Sequence, residues 1–125
     1  MFDKIFSGEI SNSQIFEEKV KESVEAFVDG YNSSVILYGV TGSGKTHTVF
    51  GDLGNVDSNE KGLIFYALKD LFSDIGVELT MSYLEIYNEK VIDLLSGKED
   101  LMVRENAEGQ VIVQNLKNVR LENFA

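Results

Sequence analysis

In "SNSQIFEEKVKESVEAFVDG" the apolar residues Phe16, Val20, Val24, Phe27 and Val28 recur at helical spacing on one face. That spacing predicts an amphipathic helix with the face turned to a core. Ser11 and Gln14 fit a capping box at its start, and Gly30 stands where a left-handed stop is wanted. Glu17 and Lys21 form a favourable pair four residues apart. After the turn "GYNSS", the run "VILY" is apolar without alternation, as in a strand covered on both faces of a parallel sheet. A Gly-rich run follows, then "KTHTVF", a helical turn or two before Gly51. "GDLGNVDSNEKG" reads as a polar loop, and "LIFYALKDLF" as a second apolar helix with Ile64, Leu68 and Leu71 on one face.

"VELTMSYLEIY" alternates at Val77, Leu79, Met81 and Tyr83, then slips phase to Leu84 and Ile86. It predicts a long strand with a bulge or a change of environment near Tyr83. "NEKVIDLLSG" predicts a short helix closed by Gly97. "LMVRE" and "QVIVQNL" predict a hairpin turning at "NAEG", and "NVRLENFA" begins a further element. The order is helix, strand, Gly loop, helix, helix, strand, helix, hairpin. This is the pattern of an α/β fold, with a mainly parallel central sheet flanked by helices, plus a β-hairpin. The Gly loop stands at the carboxyl end of a strand, where open α/β sheets place their ligands.

That loop carries the chemistry. Gly39, Gly44, Lys45 and Thr46 satisfy the P-loop pattern, two glycines flanking four residues and then Lys and Ser or Thr. Over Gly39, Val40, Thr41, Gly42, Ser43 and Gly44, inward-turned backbone N–H groups form a concave nest for phosphate oxygens. Side chains at Gly39, Gly42 and Gly44 would fill that nest or strain the backbone. A helix starting near Gly44 adds the positive end of its dipole. Lys45 supplies a point charge to the β- and γ-phosphates, and the Thr46 hydroxyl a ligand to Mg²⁺. His47 is the only histidine, with no second His or Cys beside it to make a metal site. Spacing alone leaves its role open between stacking on a base and plain surface.

Composition narrows the partners. The 125 residues are one small domain or part of a larger one, and 43% hydrophobic with 26% charged residues fits a globular chain. Asp plus Glu number 21 against 11 Lys plus Arg, a net charge of −10. Without a basic patch, such a chain repels nucleic acid and acidic membrane surfaces. Any bound anion is therefore held by backbone N–H groups and one or two placed cations. No run approaches the roughly 20 apolar residues of a membrane span, and "MFDKIFSGEI" has no signal-peptide pattern. The absence of Cys fits a reducing, cytoplasmic interior.

"YGVTGSGKTHTVFG" resembles the kinesin motor P-loop, usually YGQTGSGKTHTMxG. "SYLEIYNEKVIDLL" resembles that family's SYLEIYNExxxDLL, and the two motifs stand at the family's usual separation. "FDKIF" is similar to the family's FDxVF strand, and "EGQVIVQNLKNVRLENFA" to the segment that leads into its next long helix. The resemblance covers essentially the whole chain. Val40 departs from the usual Gln, and Phe65 stands where GIIPRAL-type segments carry Pro. Neither position belongs to the phosphate pattern.

By resemblance, the P-loop at 39–46 grips ATP, Thr46 holds Mg²⁺, and His47 lies by the adenine. Tyr83 to Glu89 would end a strand leading to a loop that touches the microtubule; read alone, they are a core strand with polar surface at Tyr87, Asn88 and Glu89. The resemblance also implies a microtubule-based motor of the cytoskeleton that couples ATP hydrolysis to movement. The family's hydrolytic switch strings, NxxSSRSH and DLAGSE, do not occur here, nor does its base-contacting RxRP run. Asp93 in "KVIDLL" and Asp29 in "EAFVDG" are poor substitutes for a metal-orienting Asp, since both read as helical. The expectation is therefore a fragment of one motor domain, with switch I, switch II and most of the microtubule face outside it. Such a fragment binds nucleotide without turnover. A non-catalytic kinesin-like nucleotide-binding or assembly module is the alternative. A small-molecule kinase fits less well, because the only Arg residues are Arg104 and Arg120.

Overall fold

Ser11 opens the first helix as its spacing predicts. Its hydroxyl accepts from the Gln14 N–H and its own N–H donates to Gln14 Oε1, a complete capping box. The computed structural model describes residues 1–55, 58–73 and 77–122. The chain divides into two units, Met1–Val77 and Glu78–Asn123.

In the first unit, α1 (Asn12–Ile15) runs through a π turn (Phe16–Val20) into α2 (Lys21–Val28). The Lys21 N–H reaches back to the Phe16 carbonyl, the i to i+5 bond of such a turn. The helix ends as a Schellman motif: Tyr31 N–H to Ala26 O, Gly30 N–H to Phe27 O, and Gly30 at φ +90°. α3 (Lys45–Phe50) and α4 (Leu63–Ser73) follow. Phe16, Val20 and Leu63 are the buried core, flanked by Ile15, Val24, Tyr66 and Ala67, with the Phe16 and Tyr66 rings 5.7 Å apart. On α4 the core stripe is thus Leu63, Tyr66 and Ala67. The expected stripe differs: Ile64 is exposed and, with Val35 and Leu37, lines an apolar cleft. Phe27 and Val28 extend past the core and are exposed.

The expected mainly parallel sheet is not found. Among the described residues the strands form three two-stranded antiparallel sheets. "VILY" is not in a sheet, with Ile36 85% and Tyr38 100% exposed. "FDKIF" is likewise irregular, with Phe2 and Ile5 exposed. A strand exists only through a neighbour's N–H and C=O groups, and no described segment supplies them here.

In the second unit, β1 (Leu79–Met81) pairs with β6 (Val119–Leu121), Thr80 opposite Arg120. The break at Ser82 and Tyr83 lies where the phase slip predicts it. β2 (Leu84–Tyr87), within the expected strand, and β3 (Lys90–Asp93) form a hairpin, so "NEKVIDLLSG" opens with a strand and not with the expected short helix. Asn88 and Glu89 both take positive φ, +49° and +62°, which is the two-residue turn that matches strand twist. β4 (Val103–Glu105) and β5 (Val111–Val113) form the expected hairpin at "NAEG". There Asn106 Oδ1 accepts from the Glu108 and Gln110 N–H groups.

Asp93, expected on a helix, closes β3 and is fully buried. Its Oδ1 accepts from the Leu95 and Ser96 N–H groups, and its Oδ2 from the Ser96 hydroxyl and the Lys117 N–H. The Ser96 hydroxyl, then these N–H groups, hold its carboxyl below the usual aspartate range against the opposing effect of burial. The polar-loop reading of 51–62 falls partly on 56 and 57, and that of "NVRLENFA" partly on 123–125, outside the described residues. No described helix is long and apolar enough to cross a membrane.

Candidate functional site

The loop from Gly39 to Gly44 runs directly into α3, whose first residues are Lys45 and Thr46. Gly42 and Gly44 have φ of +82° and +91°, the left-handed region where an L side chain is strained. A Cβ on Gly39 would stand 2.6 Å from Ser43 Oγ, so the loop closes tightly on itself there. The Ser43 N–H donates to the Val40 carbonyl, and the Thr48 N–H to Gly44. Lys45 Nζ donates to the carbonyls of Gly39 at 2.7 Å and Val40 at 2.8 Å. The ammonium is thereby held at the ring of the loop, half-buried, with Thr41, Gly42, Gly44, Lys45 and Thr46 around one cavity of about 470 Å³.

Every residue predicted for the site, Gly39 to His47, lies on this loop and the first turn of α3. By helical spacing His47 faces away from Lys45, and its Nε2 lies 2.9 Å from Glu60 Oε2. Ser43, Gly44, His47 and Thr48 contribute to a second cavity of about 400 Å³, walled also by Ser11, Asn12 and Tyr66. The loop after α3 is closed by a bridge between Gly51 and Lys61. A Cβ on Gly51 would meet the Glu60 carbonyl oxygen at 2.2 Å, and one on Gly62 the Val49 carbonyl oxygen at 2.1 Å. Two glycines therefore let backbone lie on backbone. Asn12 was not among the predicted site residues. Its Nδ2 donates to the carbonyls of His47 at 3.2 Å and Lys61 at 3.1 Å. Nothing in the local sequence signals that reach of 35 and 49 residues.

Of the two residues weighed as metal-orienting groups, Asp29 follows the last residue of α2, and Asp93 is engaged by Leu95, Ser96 and Lys117 of the second unit.

The Kinesin family model, described as the kinesin motor domain, matches residues 1–125. The chain belongs to the kinesin motor domain family. It is 37% identical to the kinesin-like protein KIF22 of Danio rerio, over 99% of this chain and 20% of that protein. It is 37% identical to kinesin-like protein KIF18A of Mus musculus, over 93% of this chain and 13% of that protein. With kinesin-like protein KIP3 of Saccharomyces cerevisiae it shares 36% identity over 93% of this chain and 15% of that protein. A solved structure, described as that of a fast kinesin with implications for ATPase mechanism and interactions with microtubules, superposes with a TM-score of 0.91. It is 30% identical and covers 99% of this chain and 37% of that one. The kinesin chain thus spans about a fifth or less of the length of these curated relatives. Its P-loop NTPase-like fold follows from the structural match.

Proposed function

We propose that this kinesin chain is the ATP-binding portion of a microtubule-based motor, with Gly39 to Thr46 holding the triphosphate. The observation that carries the reading is the loop itself: left-handed Gly42 and Gly44 leading into α3, with Lys45 at the ring. Such a loop offers backbone N–H groups and one cation to an anion, which suits a chain of net charge −10.

The chemistry of the donors fits ATP with Mg²⁺. Lys45 would trade its loop carbonyls in part for phosphate oxygens. Thr46 offers a hydroxyl, a hard oxygen ligand of the kind Mg²⁺ prefers. Among the described residues no group of three or more His, Cys, Asp or Glu is placed to hold a metal. The ion would depend on Thr46 together with phosphate oxygens, as in P-loop sites generally. Held there, the ion would supply neutralisation of phosphate charge. His47, exposed on α3, would lie beside the base.

The 125 residues hold the grip and not the switch strings, so by themselves they bind nucleotide without turnover. In the longer protein they would form part of one motor domain, with the central sheet completed by strands lying beside "VILY". That protein would work on the microtubule cytoskeleton. Its ATPase should be stimulated by microtubules and should fall at least about a hundredfold in Lys45→Ala, in line with loss of a key transition-state charge. Stimulated turnover that survives this change would refute the reading.

A further inference from the structure

We propose that Asn12 is a positioning residue for the nucleotide site, holding the helix of Lys45 and Thr46 in place through the backbone of His47. The inference rests on the nucleotide reading above and adds a residue from outside the loop.

Asn12 is the first residue of α1, yet it takes no part in capping that helix. Ser11 and Gln14 do so between them. Its amide is therefore free to point outward, and it has two N–H donors. One goes to the His47 carbonyl and the other to the Lys61 carbonyl. The His47 carbonyl already accepts from the Gly51 N–H at 2.8 Å, so Asn12 takes its second lone pair. Lys61 is the residue bridged to Gly51. One side chain thus ties together the start of α1, the middle of α3 and the return of the loop that follows α3.

The anchor behind it is firm. Four residues on from Asn12, Phe16 is 1% exposed in the core against Leu63 and Tyr66. The object it holds is small: α3 is six residues long and begins at the phosphate loop. A helix of that length has little hold of its own, and its position comes from tertiary contacts. Those contacts are the Gly62 backbone against Val49 and, at His47, the Asn12 amide. With Asn12 lost, α3 keeps only the former of these two ties, and Lys45 and Thr46 shift with it, so the grip on phosphate should weaken without removal of a phosphate ligand.

The test uses the full-length protein and a fluorescent ATP analogue with Mg²⁺, well below every variant's melting temperature. Asn12→Asp keeps the shape but sets a carboxylate against two carbonyl oxygens. Its Kd should rise about tenfold, the order expected from two lost hydrogen bonds. KM for ATP should rise in parallel while kcat stays within about twofold, as for loss of uniform binding. Asn12→Gln, which keeps both donors, should return to within about threefold of the parent, a difference of under one kcal/mol. Should Asn12→Asp fail to fold, Asn12→Ser, neutral and too short to reach either carbonyl, carries the same tenfold expectation. A merely structural residue would lower the melting temperature and leave Kd unmoved, and that result overturns the proposal. Lys45→Ala run alongside separates the two readings. If it abolishes binding while Asn12→Asp and Asn12→Ser bind like the parent, only the role of Asn12 falls. A parent that binds no nucleotide overturns both.

Discussion

The Lys45 ammonium lies 2.7 Å from the carbonyl oxygen of Gly39, six residues back along the chain. A second bond, to the Val40 carbonyl at 2.8 Å, locks the cation at the ring of its own loop. The charge that would meet a phosphate is thus held in position by the backbone that would surround it. A phosphate would replace part of that bonding, so the two carbonyls fix where the ammonium waits and also set a cost on its transfer to the ligand.

The backbone of that ring can be tested apart from its contacts. Gly44 has φ +91°, and a Cβ there would meet nothing within 4 Å. Gly44→Ala should therefore cost only the left-handed penalty, about 1–2 kcal/mol in urea denaturation. A larger loss would mean that the loop packs on something at this point.

Gly62 makes the opposite case. Its Cβ would stand 2.1 Å from the Val49 carbonyl oxygen, which is backbone and cannot swing aside. Gly62→Ala should destabilise by about 1–3 kcal/mol or more through overpacking. Gly8→Ala, with nothing within 4 Å and no positive φ, serves as the control and should stay within about 0.5 kcal/mol of the parent.

Asp93 sets a pH dependence. Its folded carboxyl lies below the ordinary value of about 3.9. Its contribution is therefore fully present above that value and is lost as pH falls through the depressed folded value. Asp93→Asn keeps one acceptor oxygen and turns an NH₂ toward the Ser96 and Lys117 donors. Thermal melts near pH 7 should show the variant several degrees below the parent, with the gap narrowing as pH falls below the ordinary aspartate range. A gap independent of pH would exclude a role for the charge.

The first helix was legible because its signals are local: Ser11, Gln14 and Gly30 do what their positions imply. α3 and the β4–β5 hairpin were legible for the same reason, the latter through Gly109 and the "NAEG" turn. The β2–β3 hairpin was not. Val91, Ile92, Leu94 and Leu95 suit a helix or a strand, and Glu89 at φ +62° is not a residue that announces a turn. One of the four bonds to the buried Asp93 carboxylate comes from Lys117, 24 residues away, which no local pattern encodes. "VILY" shows the limit from the other side. Its pattern says that both faces want cover, and it says nothing of what supplies the cover. The loop residues were legible because glycine spacing and Lys45 state their own chemistry, whereas Asn12 acts through two distant carbonyls.

The central claim is that this loop, through Lys45, holds a triphosphate. Titration of the full-length protein with a fluorescent ATP analogue and Mg²⁺, beside its Lys45→Ala variant, tests it most directly. The account predicts saturable binding by the parent and at least about a thirtyfold weaker Kd in the variant, a little over 2 kcal/mol. Equal affinity in the two proteins would contradict it.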